Sequence, residues 1–255
     1  MTITNRYCAK MMYLGKGYYG YQKQKKGQTI QGSIEDAMKV VFKEVVEIVG
    51  CGRTDTGVNA KEYYFHFDSA FADPQSRLYS LNGILGDKIV LSGIKRVDKY
   101  FHARYDATER GYEYFIHTSK NPFLKDSSYY LTLGTRKLNK EKLQEAASLL
   151  LGKRDFFTFC KTHSDVSNTF CHITKSEWDF EGEQMRYVIH GNRFLRGMVR
   201  MIVGAMLNIG LGKMNIQELY SAMERTERLQ NSWSVPAHSL YLYKVNYPKD
   251  SVLDL

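Results

Sequence analysis

The sequence predicts an α+β protein built as two similar halves, and three observations predict it. Segments of strand period and of helix period alternate twice along the 255 residues, antiparallel hairpins are mixed among them, and neither a fixed-period repeat nor a low-complexity linker breaks the pattern. The halves meet near residue 105, which divides the chain into an N-terminal half, 1–105, and a C-terminal half, 106–255. With 43% apolar and 25% charged residues, the composition is that of a globular protein able to bury a substantial core.

The elements follow in order. From Tyr7 to Tyr13 the residues Tyr7, Ala9, Met11 and Tyr13 share one face at strand period. A loop with Gly15, Gly17 and Gly20 and the cations Lys23, Lys25 and Lys26 leads to Thr29, a helix N-cap. The helix that follows carries Ile30, Ile34, Ala37, Met38, Val41 and Phe42 as one apolar stripe. Val45–Val49 and Tyr63–Phe67 read as strands on either side of a polar loop, Gly52–Ala60. In the second half the expected elements are a strand Arg110–His117, a helix Lys140–Leu151 capped by Asn139 and stopped by Gly152, and hairpin strands Cys171–Phe180 and Met185–His190 joined at Glu181-Gly182-Glu183. An apolar helix from Phe194 to Gly210, a capping-box start at Asn215 with Glu218, and a last strand Leu240–Val245 complete the chain.

Lysine plus arginine outnumber aspartate plus glutamate by 36 to 27, a formal charge of +9 that favours a polyanionic partner. Nineteen tyrosines and thirteen phenylalanines accompany these cations, and rings beside cations are what splayed-out bases stack on, although most such rings in any protein are core. Cys8, Cys51, Cys160 and Cys171 form no Cys-x-x-Cys pair, and the first ten residues are too polar for a signal peptide. No stretch approaches the roughly 20 apolar residues of a membrane helix. The expectation is a cytoplasmic protein with no membrane contact.

Three places concentrate chemical potential. Gly52-Arg53-Thr54-Asp55-Thr56-Gly57 sets one carboxylate in a tight polar loop between strands, either an ordinary turn or an active-site loop. Asp55-Thr56-Gly57 is also the tripeptide of aspartic proteases, but these need two such aspartates and the chain holds no second copy. In the apolar helix, Arg196 and Arg200 share a face with Val203, and Arg200 has hardly any polar side to use. Its guanidinium therefore either pairs with a carboxylate or phosphate or extends its stem to water. An arginine beside Asp55 would favour the ionised carboxylate needed for nucleophilic or base chemistry. Finally, Phe101-His102-Ala103-Arg104 precedes Arg110-Gly111-Tyr112-Glu113-Tyr114, where strand alternation puts Arg110, Tyr112 and Tyr114 on one side. Cys160, His163, Cys171 and His172 are possible zinc ligands, but adjacent strand residues point to opposite faces and the spacing suits no common site, so no metal is expected.

Taken in register, Gly-Arg-Thr-Asp-Thr-Gly-Val from Gly52, the Phe101–Arg104 and Arg110–Tyr114 blocks, and Phe-Leu-x-x-Met-Val-Arg-x-Ile-Val-Gly from Phe194 resemble the signature blocks of the tRNA pseudouridine synthase A family. Tyr18-Tyr19-Gly20-Tyr21-Gln22, Thr29-Ile30-Gln31 and Ala237-His238-Ser239-Leu240-Tyr241-Leu242 extend the likeness over essentially the whole chain. The resemblance implies antiparallel sheets joined across a central catalytic cleft, a homodimer, no cofactor, and isomerisation of uridine to pseudouridine at positions 38 to 40 of the tRNA anticodon stem-loop. It makes Asp55 the nucleophile, sets Tyr112 against the target base, pairs Arg200 with Asp55, and puts Arg53 near the flipped nucleotide, with Tyr114 and Leu195 among the substrate-binding residues. Asn59, Leu14, Tyr21 and Arg193 depart from the usual pattern of the family.

Overall fold

The computed structural model describes residues 4–161 and 168–251. They cluster into two compact units, Met1–Arg110 with Leu242–Leu255, and Gly111–Tyr241. Both units are α+β.

The first unit contains β1 (Asn5–Tyr13), α1 (Ile30–Phe42), β2 (Ile48–Gly50), β3 (Asn59–Ser69), α2 (Leu78–Leu85) and β4 (Ile89–Arg96), joined by most of the chain's last strand, Leu240–Asn246. Its strand order is β4-β1-β3 followed by that last strand, with β2 also pairing β3. β1 and β3 run antiparallel with Tyr7 opposite Phe67, Ala9 opposite Phe65 and Met11 opposite Tyr63. This alternation puts Tyr63, Phe65 and Phe67 on one face, where Phe67 stacks with Phe42 at the end of α1, and Tyr64 and His66 on the other. Ile30, Ile34, Ala37 and Met38 of α1 are wholly buried, so the stripe read from the sequence is the core face of that helix. Thr29 caps it by accepting from the Gly32 amide.

The second unit contains β5 (Glu109–His117) from Gly111 onward, β6 (Tyr129–Tyr130), α3 (Lys140–Ser148), β7 (Gly152–Asp155), β8 (Phe170–Glu181), β9 (Gln184–Gly191), α4 (Met198–Gly210) and α5 (Ile216–Glu224), before β10, the last strand given above. Its strand order is β5-β9-β8-β7, with β6 beside β5. Trp178 on β8 faces Tyr187 on β9 at 5.0 Å between ring centroids, and its indole N–H reaches the Met206 sulfur of α4. That contact seats α4 on the sheet. Asn139 caps α3, and Asn215 with Glu218 forms the capping box of α5.

Element ends differ from the sequence reading where backbone geometry intervenes. Lys43 closes α1 in the left-handed region, and the next four residues form a connector, so β2 begins at Ile48 and not at Val45. β3 extends well beyond Tyr63–Phe67 because both of its edges are paired. α2 and β4 were not anticipated: α2 is short, contains Gly83, and leaves Tyr79 92% exposed, which weakens its apolar stripe. α4 starts at Met198 because Gly197 takes φ 71°, leaving Phe194 to Arg196 outside the helix and Arg196 off the face shared by Arg200 and Val203. α3 ends at Ser148, and Gly152 opens β7 where it was expected to stop the helix.

Every residue of α4 is buried except Arg200, which is half-buried. At Gly204 the helix meets the Trp233 carbonyl so closely that an added Cβ would fall on the oxygen. Gly204→Ala should therefore lower stability by about 1–3 kcal/mol through overpacking, against the gain that alanine ordinarily brings to a helix. Urea denaturation measures it, and an unchanged or raised midpoint would show that the Trp233 segment can retreat.

Candidate active site

The Asp55 loop leaves the β2–β3 ladder at Cys51, whose amide still donates to the Tyr64 carbonyl at 2.8 Å. From there it is held by its carbonyl groups. Arg110 donates to the Cys51 carbonyl at 3.0 Å, the Tyr63 hydroxyl to that of Gly52 at 2.5 Å, and the Tyr21 amide to that of Thr54 at 3.1 Å. The Asp55 carbonyl accepts from the Val58 amide at 3.1 Å, closing a β-turn in which Gly57 takes the positive φ, 81°, required at its third position. Tyr13 and Thr54 share a buried hydroxyl–hydroxyl bond of 2.8 Å. Gly20 lets the preceding loop approach: its φ is 85°, and a Cβ there would sit 2.8 Å from the Thr54 carbonyl oxygen. Asp55 itself is half-buried, its loop fixed beneath it.

Arg53 is exposed and donates to Gln22 at 3.1 Å. Gln22 donates to Gln31 on α1, and Gln31 donates to the buried Glu35, whose other oxygen pairs with Lys23 at 2.8 Å. This polar relay ties Arg53 to the first helix. Asn59, one of the departures from the family pattern, is buried and accepts from the Gly15 amide at 2.9 Å, so it anchors the first loop to the Asp55 loop.

Behind β3, the Phe101–Arg104 segment packs on the His66 face. The Ala103 amide donates to His66 Nδ1 at 3.0 Å, and the His66 and His102 rings lie 4.8 Å apart. His102 Nδ1 in turn accepts the amides of Arg104 and Tyr105, and the Tyr247 hydroxyl donates to the Ala103 carbonyl.

In the second unit Tyr112 is half-buried, with its ring edge-to-face against Phe194 at 5.2 Å. Leu195 is buried next to it in sequence, its amide on the Met198 sulfur. Tyr114 is wholly buried, its hydroxyl donated to the Pro236 carbonyl at 2.9 Å and its pKa raised by burial. Its ring is therefore core and presents no open face. Arg200 sends Nε to the neighbouring Val235 carbonyl at 2.7 Å, while the Val235 amide returns to the Arg200 carbonyl at 3.3 Å. Tyr114, Arg200 and Gly204 thus all grip one strap, Trp233 to Pro236, which no sequence signal beyond Pro236 marks.

Arg53 and Asp55 consequently lie in the first unit, and Tyr112, Tyr114, Leu195 and Arg200 in the second. Sequence reasoning missed the tyrosines beneath the Asp55 loop, Tyr13 and Tyr63, because strand alternation marks them only as core. Strand alternation set Arg110 on the side of Tyr112 and Tyr114 without marking its partners, and in the structure both of its Nη groups donate to backbone carbonyls. Burial pushes the Cys51 thiol up to about 12 and the Cys171 thiol to about 11, which suits apolar packing. Among the described residues no three histidine, cysteine, aspartate or glutamate side chains cluster as metal ligands, and His163 lies outside those residues. No helix among the described residues is long and apolar enough to cross a membrane.

Residues 146–248 match the family described as tRNA pseudouridine synthase. Over 245 residues the chain is 38% identical to a tRNA pseudouridine synthase A of Azobacteroides pseudotrichonymphae, covering 96% of this chain and 97% of that one. It is 38% identical over 247 residues to the same enzyme of Parabacteroides distasonis, covering 96% and 97%, and 35% identical over 240 residues to that of Bacillus subtilis, covering 92% and 96%. The chain belongs to the tRNA pseudouridine synthase A family, a family of isomerases.

Burial first, then the charges of Arg6 and His102, hold the His66 pKa down at about 4 from 6.5, against smaller opposing effects of Asp68 and Asp106. A depressed histidine favours the fold while neutral, so its contribution is complete above pH 6.5 and is lost as pH falls through about 4. Melting temperature should therefore drop over that window. His66→Gln, which keeps an acceptor for the Ala103 amide, should flatten the drop, and parallel pH profiles for the two proteins would exclude His66 as its source.

Proposed function

We propose that this protein isomerises uridine to pseudouridine at positions 38 to 40 of the anticodon stem-loop of tRNA, with Asp55 as the acting carboxylate. The observation that carries this reading is the Asp55 loop, in which four backbone carbonyls from Cys51 to Asp55 are all taken by donors while the acid is left half-exposed. The reaction breaks the bond from N1 of the base to C1′ of the ribose, turns the base, and forms a bond from C5 to C1′. N1 gains a proton and C5 loses one. Nothing is oxidised and no group enters or leaves, so the proposal needs no cofactor.

An ionised carboxylate supplies the nucleophile or base for these steps, and an aromatic wall retains the detached base through the turn. We assign the wall to Tyr112, met edge-on by Phe194, with the buried Leu195 and Tyr114 as further members of the substrate-binding part. Arg200 is assigned as the cation that pairs with Asp55, and Arg53, exposed at the loop, as a contact to the flipped nucleotide. The net charge of +9 favours a polyanion such as tRNA. The same family resemblance extends the proposal to a cytoplasmic homodimer.

The test is carbodiimide mapping of unmodified tRNA incubated with purified protein, run beside Asp55→Asn. The wild type should place pseudouridine at 38 to 40. Asp55→Asn should place none, with tRNA affinity and melting temperature preserved, because the amide has nearly the same shape but is neither nucleophile nor base. Binding without modification by the wild type would leave an RNA-binding protein in place of an enzyme. Turnover by Asp55→Asn within about tenfold of wild type would remove Asp55 from its role.

A further inference from the structure

We propose that Arg110 is a positioning residue for this reaction, a clamp that fixes the Asp55 loop to the Phe101–Ala107 segment; the inference rests on the reading of Asp55 as the acting carboxylate. One guanidinium reaches three carbonyl oxygens from two separate stretches of chain. Nη2 donates to Cys51 at 3.0 Å and to Arg104 at 2.5 Å, and Nη1 donates to Ala107 at 2.7 Å. Arginine presents five N–H donors in a rigid planar fork whose two terminal nitrogens reach acceptors on different sides, whereas a lysine offers three donors from a single nitrogen on a flexible stem.

The place of these acceptors gives the clamp its consequence. Cys51 is where the loop departs from the β3 ladder, three residues before Thr54 and four before Asp55, so rotation there swings everything downstream. The other jaw is itself fixed: Ala103 is held at both ends of its peptide units by His66 and Tyr247, and the Asp106 carboxylate accepts the His102 amide at 2.8 Å. Arg110 therefore ties the moving end of the loop to a rigid support. It brings a charge to the loop, beside the Tyr63 hydroxyl and the Tyr21 and Val58 amides. The neighbouring Arg104 makes the contrast, being exposed with its guanidinium over the Tyr105 ring and open to a phosphate.

The test compares single-turnover isomerisation at saturating unmodified tRNA with the equilibrium affinity for the same tRNA. Arg110→Met should slow turnover by about 30- to 100-fold, because a shift of the order of 1 Å at a reacting group costs that much. Its tRNA Kd should stay within about threefold of wild type, since no phosphate contact is removed. Arg110→Lys should regain part of the lost rate. Arg110→Ala should be accelerated several-fold by free guanidinium far below denaturing concentrations, while the wild type is unaffected. These last two variants keep the test decisive if Arg110→Met does not fold. Wild-type turnover in Arg110→Met, or a loss that appears in Kd and not in rate, would overturn the proposal, the second outcome making Arg110 an RNA contact. An inactive Asp55→Asn beside a fast Arg110→Met defeats the clamp alone, whereas an active Asp55→Asn defeats the reading on which it rests.

Discussion

The loop from Cys51 to Val58 is held through its carbonyl oxygens, and the candidate site depends on that constraint. A polar loop between two strands has many conformations, and ordering each residue costs about 1–2 kcal/mol of backbone entropy. Here the cost is offset by donors that arrive from outside the loop: Tyr63 from β3, Tyr21 from the glycine-containing loop before α1, and Arg110 from β5. Two of these three donors are residues of the core itself. Tyr21 and Tyr63 are fully buried and lie 4.6 Å apart between ring centroids. The hydrophobic core of the first unit is thereby converted into the position of one carboxylate.

The second unit uses its core in the same way. α4 is buried on every residue but Arg200, and the strap from Trp233 to Pro236 closes over it with a carbonyl at Gly204, a carbonyl at Arg200 Nε and a carbonyl at the Tyr114 hydroxyl. A guanidinium on so apolar a helix is tolerated because part of its donor set is satisfied by backbone at short range. Tyr112, in contrast, is half-buried, with the Phe194 ring edge-on to its own. Buried Tyr114 and half-buried Tyr112 share a strand face two residues apart, and their different exposure is what separates structural from substrate-facing assignments.

Much of the fold was legible because its signals are local. Thr29, Asn139 and Asn215 cap the helices at the expected positions, and the hairpin at Gly182 turns where glycine and flanking alternation indicate. What could not be read depends on distant partners. α2 has too weak an apolar stripe to announce itself, and the return of the last strand to the first unit is a pairing between residues far apart in sequence. At the candidate site, the loop of Asp55 was visible as a motif and Arg110 as a cation. The three carbonyls that occupy Arg110 lie as far back as Cys51 and carry no side-chain signature, so its structural engagement was invisible. Asn59 illustrates the reverse case: as a sequence it is a departure from the family, and in the structure it is a buried anchor for Gly15.

If the loop's purpose is to hold a carboxylate in one place, position should matter as much as charge. Asp55→Glu keeps the charge and moves the acid outward by about one carbon–carbon bond, close to 1.5 Å. Measured as single-turnover isomerisation of unmodified tRNA, the glutamate variant should be about 100-fold or more slower than wild type, with melting temperature and tRNA affinity unchanged. A glutamate variant working within about tenfold of wild type would contradict the account, since a carboxylate free to find its own place would then suffice.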